Sequence, residues 1–279
     1  RGRGKRRREL LATAPEDRPL GYQIYGSDPR SMSDAARWLQ DHGATLLDIN
    51  MGCPQHGISA AGAGAGLLRR PVEAARLAEQ VVSSVSIPVT AKLRLGWDSR
   101  APVAAELARD LEKAGIAAIT VHGRTREQGY AGETDLEGIR RVVESVERIP
   151  VIGNGDIRSP GDARRMFRET GCSGIMVGRG ATLYPWLIRD IWRDLSGLPP
   201  LPPPTLDEQW QLLTEQFERS LLHYGERHGV VLFRRWIAER AGKLELGREA
   251  MIALLNIEGI PEMRRVLATA ASSPAGRSV

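Results

Sequence analysis

The chain has 279 residues, 42% hydrophobic and 26% charged, which is ordinary globular usage and excludes a disordered polymer. At ~150 residues per domain this length accommodates about two domains, or one barrel with an appendage. The net charge is +5, but six of the 39 Lys and Arg (Arg1, Arg3, Lys5, Arg6, Arg7 and Arg8) fall in the first eight positions, leaving 33 basic against 34 acidic residues elsewhere. The charge therefore describes a tail, able to grip phosphates or to stay solvated, and not a basic binding face. No apolar run reaches ~18 residues and the N-terminus is led by arginines, so neither a membrane span nor a secretory signal is expected. Cys53 and Cys172 lie 119 positions apart. That makes neither a disulfide framework nor a zinc set; no metal is expected, and a reducing cytoplasm is the expected compartment.

After the tail, a short helical stretch is expected over 9–14. From there short β-branched runs alternate with longer amphipathic stretches. Strands are predicted at 21–26 (GYQIYG), 45–50 (TLLDIN), 88–95 (PVTAKLRL), 116–122 (IAAITVH), 149–154 (IPVIGN) and 173–178 (SGIMVG). Helices are predicted at 31–42, 72–85, 101–114, 135–147, 160–170 and 184–195. Ser31 with Asp34 reads as a capping pattern for the first, and Ser159-Pro160 as a helix start. Such alternation means parallel strands joined by right-handed crossovers. At ~30 residues per unit the fold class is α/β, a TIM (β/α)8-type barrel of which six βα units are visible. Five prolines in the six positions 199–204 mark a linker, and helical spacing at Trp210, Leu213, Phe217, Leu221, Leu232 and Trp236 marks a small all-helical domain. The expected division is a tail at 1–19, a partial barrel at 20–197, a linker at 198–204 and a helical domain at 205–279.

Working residues of a parallel barrel lie at the carboxyl ends of its strands. Taken in order these are Gln23, Asp48 and Asn50, Lys92 and Arg94, His122 and Arg124, Asn154 and Asp156, then Gly178 and Arg179. Six polar strand ends in register point to a site. Asn154-Gly155-Asp156 and Gly178-Arg179-Gly180 sit where barrels commonly hold a phosphate, glycines letting backbone N–H groups approach it. With Lys92 and His122 beside them, a phosphorylated cofactor such as FMN fits. Cys53 follows the second strand, with Gly62, Gly64 and Gly66 close behind; a thiol there can act as general acid, as nucleophile or as inert filler. Cys172 reads as core.

The runs DINMGCP (48–54), GAGLLRRP (64–71), VTAKLRLGWD (89–98), ITVHGRTREQGYAG (119–132), IPVIGNGDI (149–157) and GIMVGRGA (174–181) resemble the tRNA-dihydrouridine synthases, and QIYGSDP (23–29) is most similar to their bacterial B-type branch. The resemblance spans roughly residues 10–240. It implies an FMN-dependent enzyme that uses NADPH to reduce the C5–C6 bond of particular uridines in tRNA, with no obligate protein partner. It further implies FMN binding by Gln23, Lys92, His122, Asn154, Gly155, Asp156, Gly178 and Arg179. Cys53 would be the acid and Asn50 would help place the uracil. Arg124, Arg126 and, in the helical domain, Arg234 and Arg235 would meet tRNA phosphates, although a basic pair on a solvated helix is the simpler account of the last two.

Two departures bear on this expectation. The family begins with a flavin-contacting Pro-Met-x-Gly strand and a second βα unit, neither of which is visible here, so a gap in the barrel wall is expected. After Cys53 the family places a lysine where this chain has Gly57; His56 could substitute in part. The small-residue run 59–66 suggests a floppy loop carrying Cys53. Competing readings are an FMN barrel acting on a small pyrimidine, and a truncated or degenerate relative without reductase activity that binds RNA, or nothing, through the basic tail.

Overall fold

A computed structural model of the chain describes residues 11–14, 17–240, 252 and 254–272. Six parallel strands lie in sequence order: β1 (Gly21–Ile24), β2 (Leu46–Met51), β3 (Val89–Arg94), β4 (Ala118–His122), β5 (Val151–Asn154) and β6 (Gly174–Met176). All five pairings join consecutive strands, the topology of a TIM-type barrel wall. Among the described residues β1 pairs only with β2 and β6 only with β5, so the wall stays open between them.

Between the strands run α1 (Pro29–Asp41), α2 (His56–Ala60), a 3-10 turn (Gly64–Arg69), α3 (Pro71–Ser83), α4 (Ala104–Lys113), α5 (Leu136–Ser145) and α6 (Pro160–Thr170). Two more, α7 (Arg179–Leu183) and α8 (Leu187–Leu195), follow β6. The strands alternate in character. Leu47, Ile49 and Met51, with Val89, Ala91 and Leu93, are buried toward the helices, as are Ile119 and Val121. The intervening positions carry Asp48, Asn50, Thr90, Lys92, Arg94, Thr120 and His122, and pairing aligns Asn50 with Lys92, Arg94 with His122 and His122 with Asn154. One face of the sheet is thus a hydrocarbon layer and the other, which a barrel turns inward, is polar.

Some local expectations change. The first helix is capped by Asp28, whose carboxylate accepts the Ser31 N–H at 2.8 Å, with Pro29 opening the helix. Ser31 and Asp34 lie one turn too far in to cap it, and Asp34 pairs with Arg37 on the surface. Ser159 does cap α6, accepting the Asp162 N–H. Residues 11–14 form no helix, and the basic tail with positions 9 and 10 lies outside the described residues.

Packing divides the chain into two compact units, Pro15–Pro199 and one that takes in Pro200–Val279. The second contains α9 (Leu206–Arg240), broken at Gly225 (φ 75°), and α10 (Ile260–Ser272). Its core is built on Trp210, Leu213, Phe217, Phe233, Ile237, Met263 and Leu267. Past the break the buried stripe runs through Phe233 and Ile237, one position beyond the expected Leu232 and Trp236. Among the described residues no helix is long and apolar enough to cross a membrane.

Candidate active site

A cavity of about 360 Å³ opens at the carboxyl ends of the strands, within the ~300–1,000 Å³ typical of small-molecule sites. Twelve residues singled out by position in the sequence line it together: Gln23, Asn50, Cys53, Lys92, Arg94, His122, Asn154, Gly155, Asp156, Gly178, Arg179 and Gly180.

On one side a chain of amides sets the Cys53 loop. The Asn50 Nδ2 donates to Gln23 Oε1 at 2.7 Å and the Gln23 Nε2 donates to Asp48 Oδ2 at 2.7 Å. Thr90 closes the row by donating to Asp48 Oδ1 at 2.7 Å. The Asn50 Oδ1 accepts the backbone N–H groups of Gly52 at 3.1 Å and Cys53 at 2.9 Å. Asn50 is thereby committed to holding the turn that presents the half-buried Cys53. The small residues downstream serve close packing and not slackness. Residues 64–68 are buried in the 3-10 turn, Gly64 (φ +56°) leaves only 3.0 Å between a would-be Cβ and the Cys53 carbonyl oxygen, and at Gly66 the Ser59 carbonyl is at 2.5 Å.

The other walls are cationic. Lys92, Arg94, Arg158 and Arg179 line the cavity against one carboxylate, Asp156. Burial, reinforced by the Arg94 charge and opposed by Asp48, pulls the Lys92 ammonium down to about 8. His122 is 7% exposed, and burial with the charges of Lys92, Arg94 and Arg124 lowers it to about 3, so the ring is neutral. Its Nε2 lies 3.4 Å from Arg124 Nη1, which can only donate, so Nε2 accepts and the ring proton sits on Nδ1.

Arg94 stands among the strand-end residues but has no role assigned to it from the sequence; it follows Lys92 by two and shares its face. Its Nε donates to Gly52 O at 2.9 Å, and its Nη1 to Thr125 O at 2.8 Å and Gly129 O at 2.7 Å. It therefore ties the Cys53 turn to the loop after β4, while its Nη2 has no hydrogen-bond partner among the described residues. Tyr130, on that loop, was missed; Arg179 sits 4.4 Å from its ring centroid and Arg94 5.6 Å.

Two strained positions shape the bed between β5 and β6. Gly155 has φ +132°, and a Cβ there would meet Thr134 Oγ1 at 2.4 Å. Asp156 follows with φ +49° and gathers cations: Arg124 Nη2 donates to it at 2.5 Å, and Arg158 and Arg179 approach at 3.5 Å. It orients these guanidiniums, since a carboxylate itself would repel a phosphate. A Cβ on Gly178 would meet nothing within 4 Å and would project into open space.

The expected phosphate-contacting arginines separate. Arg124 is 2% exposed and spends its donors on Ala131 O, Gly132 O, Thr134, His122 and Asp156, which leaves none for an external phosphate. Arg126 lies at the rim, 4.6 Å from the Trp97 ring centroid. Arg234 is partly buried and donates to the Ile257 carbonyl, a structural tie within the helical unit. Arg235 is exposed and paired with Glu239 at 3.3 Å. Cys172 is buried. Among the described residues no group of three or more His, Cys, Asp or Glu could hold a metal ion.

The family model for dihydrouridine synthases matches residues 3–251. The chain is 40% identical over 229 residues to tRNA-dihydrouridine synthase B of Xanthomonas axonopodis pv. citri, covering 81% of this chain and 69% of that protein. It is 39% identical over 234 residues to tRNA-dihydrouridine synthase B of Pseudomonas aeruginosa, covering 84% and 70%. A probable tRNA-dihydrouridine synthase of Rhodobacter capsulatus is 40% identical over 242 residues, covering 86% and 73%. Among solved structures, a mandelate oxidase shares 21% identity at a TM-score of 0.46, over 64% of this chain and 60% of that one, a likeness too slight to add to the assignment.

Proposed function

The chain belongs to the dihydrouridine synthase family, and on that premise we propose that it reduces the C5–C6 bond of uridine in tRNA, using FMN bound in the strand-end cavity and NADPH as reductant. The observation that carries this reading is the gathering of Cys53 and a cation-rich, glycine-lined bed in one cavity. The residues fit the cofactor: four cations face one carboxylate, Gly178 leaves space where any side chain would intrude, and Gly155 brings the backbone against His122 and Thr134. Lys92, Asn154, Gly155, Gly178 and Arg179 would hold FMN, with His122 and Gln23 beside it and Asp156 setting Arg179. Bound there, FMN would supply the hydride for C6, with NADPH as its reductant.

The chain's own groups do the rest. Hydride addition at C6 leaves enolate character across C5 and O4 of the base. Cys53 delivers its proton to C5 as general acid. Asn50 fixes the backbone that aims the thiol. Arg94, with an unspent Nη2 in the same cavity, places positive charge where the enolate develops. The base must leave its stack to enter, at a cost of a few kcal/mol that phosphate contacts offset. A tRNA substrate implies the cytoplasm.

The test is released flavin per chain together with dihydrouridine formed in unmodified tRNA. Near-stoichiometric FMN and product are expected, with Cys53→Ala retaining flavin while losing roughly 10²–10⁴ in turnover. A chain that takes up no FMN in excess cofactor is a degenerate relative, and the proposal fails.

A further inference from the structure

We propose that Arg69, Trp97 and Arg126 form a phosphate clamp on the barrel rim, outside the cavity, that takes the sugar-phosphate backbone of the RNA; it rests on the tRNA reading above. The three come from three different loops. Arg69 ends the 3-10 turn after β2, Trp97 follows β3 and Arg126 follows β4. The Arg69 Cζ lies 4.7 Å and the Arg126 Cζ 4.6 Å from the centroid of the one indole. Two like charges are thus held against a single indole ring.

Among the described residues no carboxylate forms an ion pair with either. Asp98, the nearest in sequence to Trp97, accepts from the Arg100 backbone at 2.9 Å and pairs with its guanidinium at 3.2 Å, and the Glu127 charge also acts on Arg100. Arg70 pairs with Glu73 at 2.7 Å, whereas its neighbour Arg69 has no ion-pair partner among the described residues. The Arg126 Nε is buried without a hydrogen-bond partner. Stacking engages the face of a guanidinium and leaves its in-plane donor fork available, which is the geometry that reads phosphate.

The clamp is also rigidly registered to the catalytic loop. The Arg126 N–H donates to Gly96 O at 2.9 Å and the Glu127 N–H to Trp97 O at 3.0 Å, binding the loops after β3 and β4 together. Arg94 ties the same β4 loop to the Cys53 turn through Thr125 O and Gly52 O. A backbone phosphate seated on the clamp is therefore held in one frame with the thiol. None of the three residues lines the cavity, so the clamp does not overlap the bed assigned to FMN.

The experiment measures binding of an unmodified tRNA transcript to the full chain between 50 and 200 mM salt by fluorescence anisotropy. Its companion readouts are flavin content and the rate of flavin reduction by NADPH. Arg69→Gln and Arg126→Gln are each expected to weaken binding and to reduce the log–log salt slope by about 0.7–0.9, with flavin content and NADPH reduction unchanged. Trp97→Leu, which keeps both charges but frees the guanidiniums, weakens binding with most of the slope retained. Should that variant unfold, the exposed Arg69 substitution still decides. An unaltered slope in both arginine variants overturns the clamp, as does slowed NADPH reduction with unaltered tRNA binding, which would assign the phosphate to the dinucleotide. A wild-type chain that binds neither flavin nor tRNA overturns clamp and function together; one that binds both while the variants match it overturns the clamp alone.

Discussion

Lys92 shows how a single side chain trades stability against binding. Its ammonium is lowered from 10.5 to about 8, chiefly by burial. The unfolded chain therefore holds more protons than the folded one between about 8 and 10.5, and the ligand-free protein gains stability as pH rises through that window. Below about 8 the buried charge is a cost, which an anionic ligand relieves. Lys92→Met should accordingly raise the ligand-free melting temperature at pH 7, by more than it does at pH 9.5, while weakening FMN retention. A lower melting temperature at pH 7 would show the ammonium to be stabilising in the empty cavity. The two bed glycines separate in the same way. Gly155→Ala places a Cβ 2.4 Å from Thr134 Oγ1 at a φ of +132°, and is expected to cost ~1–3 kcal/mol in denaturant melts. Gly178→Ala meets nothing within 4 Å, so it should leave stability within ~0.5 kcal/mol and lower flavin affinity. Equal losses of stability in both variants would contradict this division.

At the scale of elements, short β-branched runs located the six strands of the described residues, because β2 to β5 each have a buried apolar side and turn residues flank the runs. That signal failed where a feature depends on contacts distant in sequence. The glycines of 62–66 look like a slack loop when only composition is visible, yet Gly64 and Gly66 are dictated by the carbonyls of Cys53 and Ser59. Arg124 looks like a phosphate ligand from its place in HGRTR, and only the fold reveals five acceptors around it. Short elements such as α2 and α7, five residues each, carry no period to read. The start of α1 gives a direct test of a misplaced boundary. Asp28→Ala removes the carboxylate that accepts the Ser31 N–H and should cost ~1 kcal/mol, whereas Asp34→Ala breaks only an exposed i,i+3 pair and should cost a few tenths at most. The reverse order of melting temperatures would return the cap to the Ser31–Asp34 pattern.

At the scale of the whole molecule, the chain carries two hydrophobic cores of different make. In the unit Pro15–Pro199 the apolar layer lies between sheet and helices, and all the residues that line the strand-end cavity belong to that unit. The helical unit instead closes around a few large side chains, among them Phe217 and Phe233, both fully buried with ring centroids 4.9 Å apart. Separate cores imply separate cooperative transitions, and calorimetry is expected to resolve two. Phe217→Ala removes a ring from the smaller core, where truncation of a buried Phe costs ~3–5 kcal/mol. It should therefore shift or abolish one transition while the other keeps its midpoint, and flavin per chain should stay at the wild-type value. The salt dependence of RNA binding expected from Arg69 and Arg126 should be retained. If both transitions move together, the two cores unfold as one.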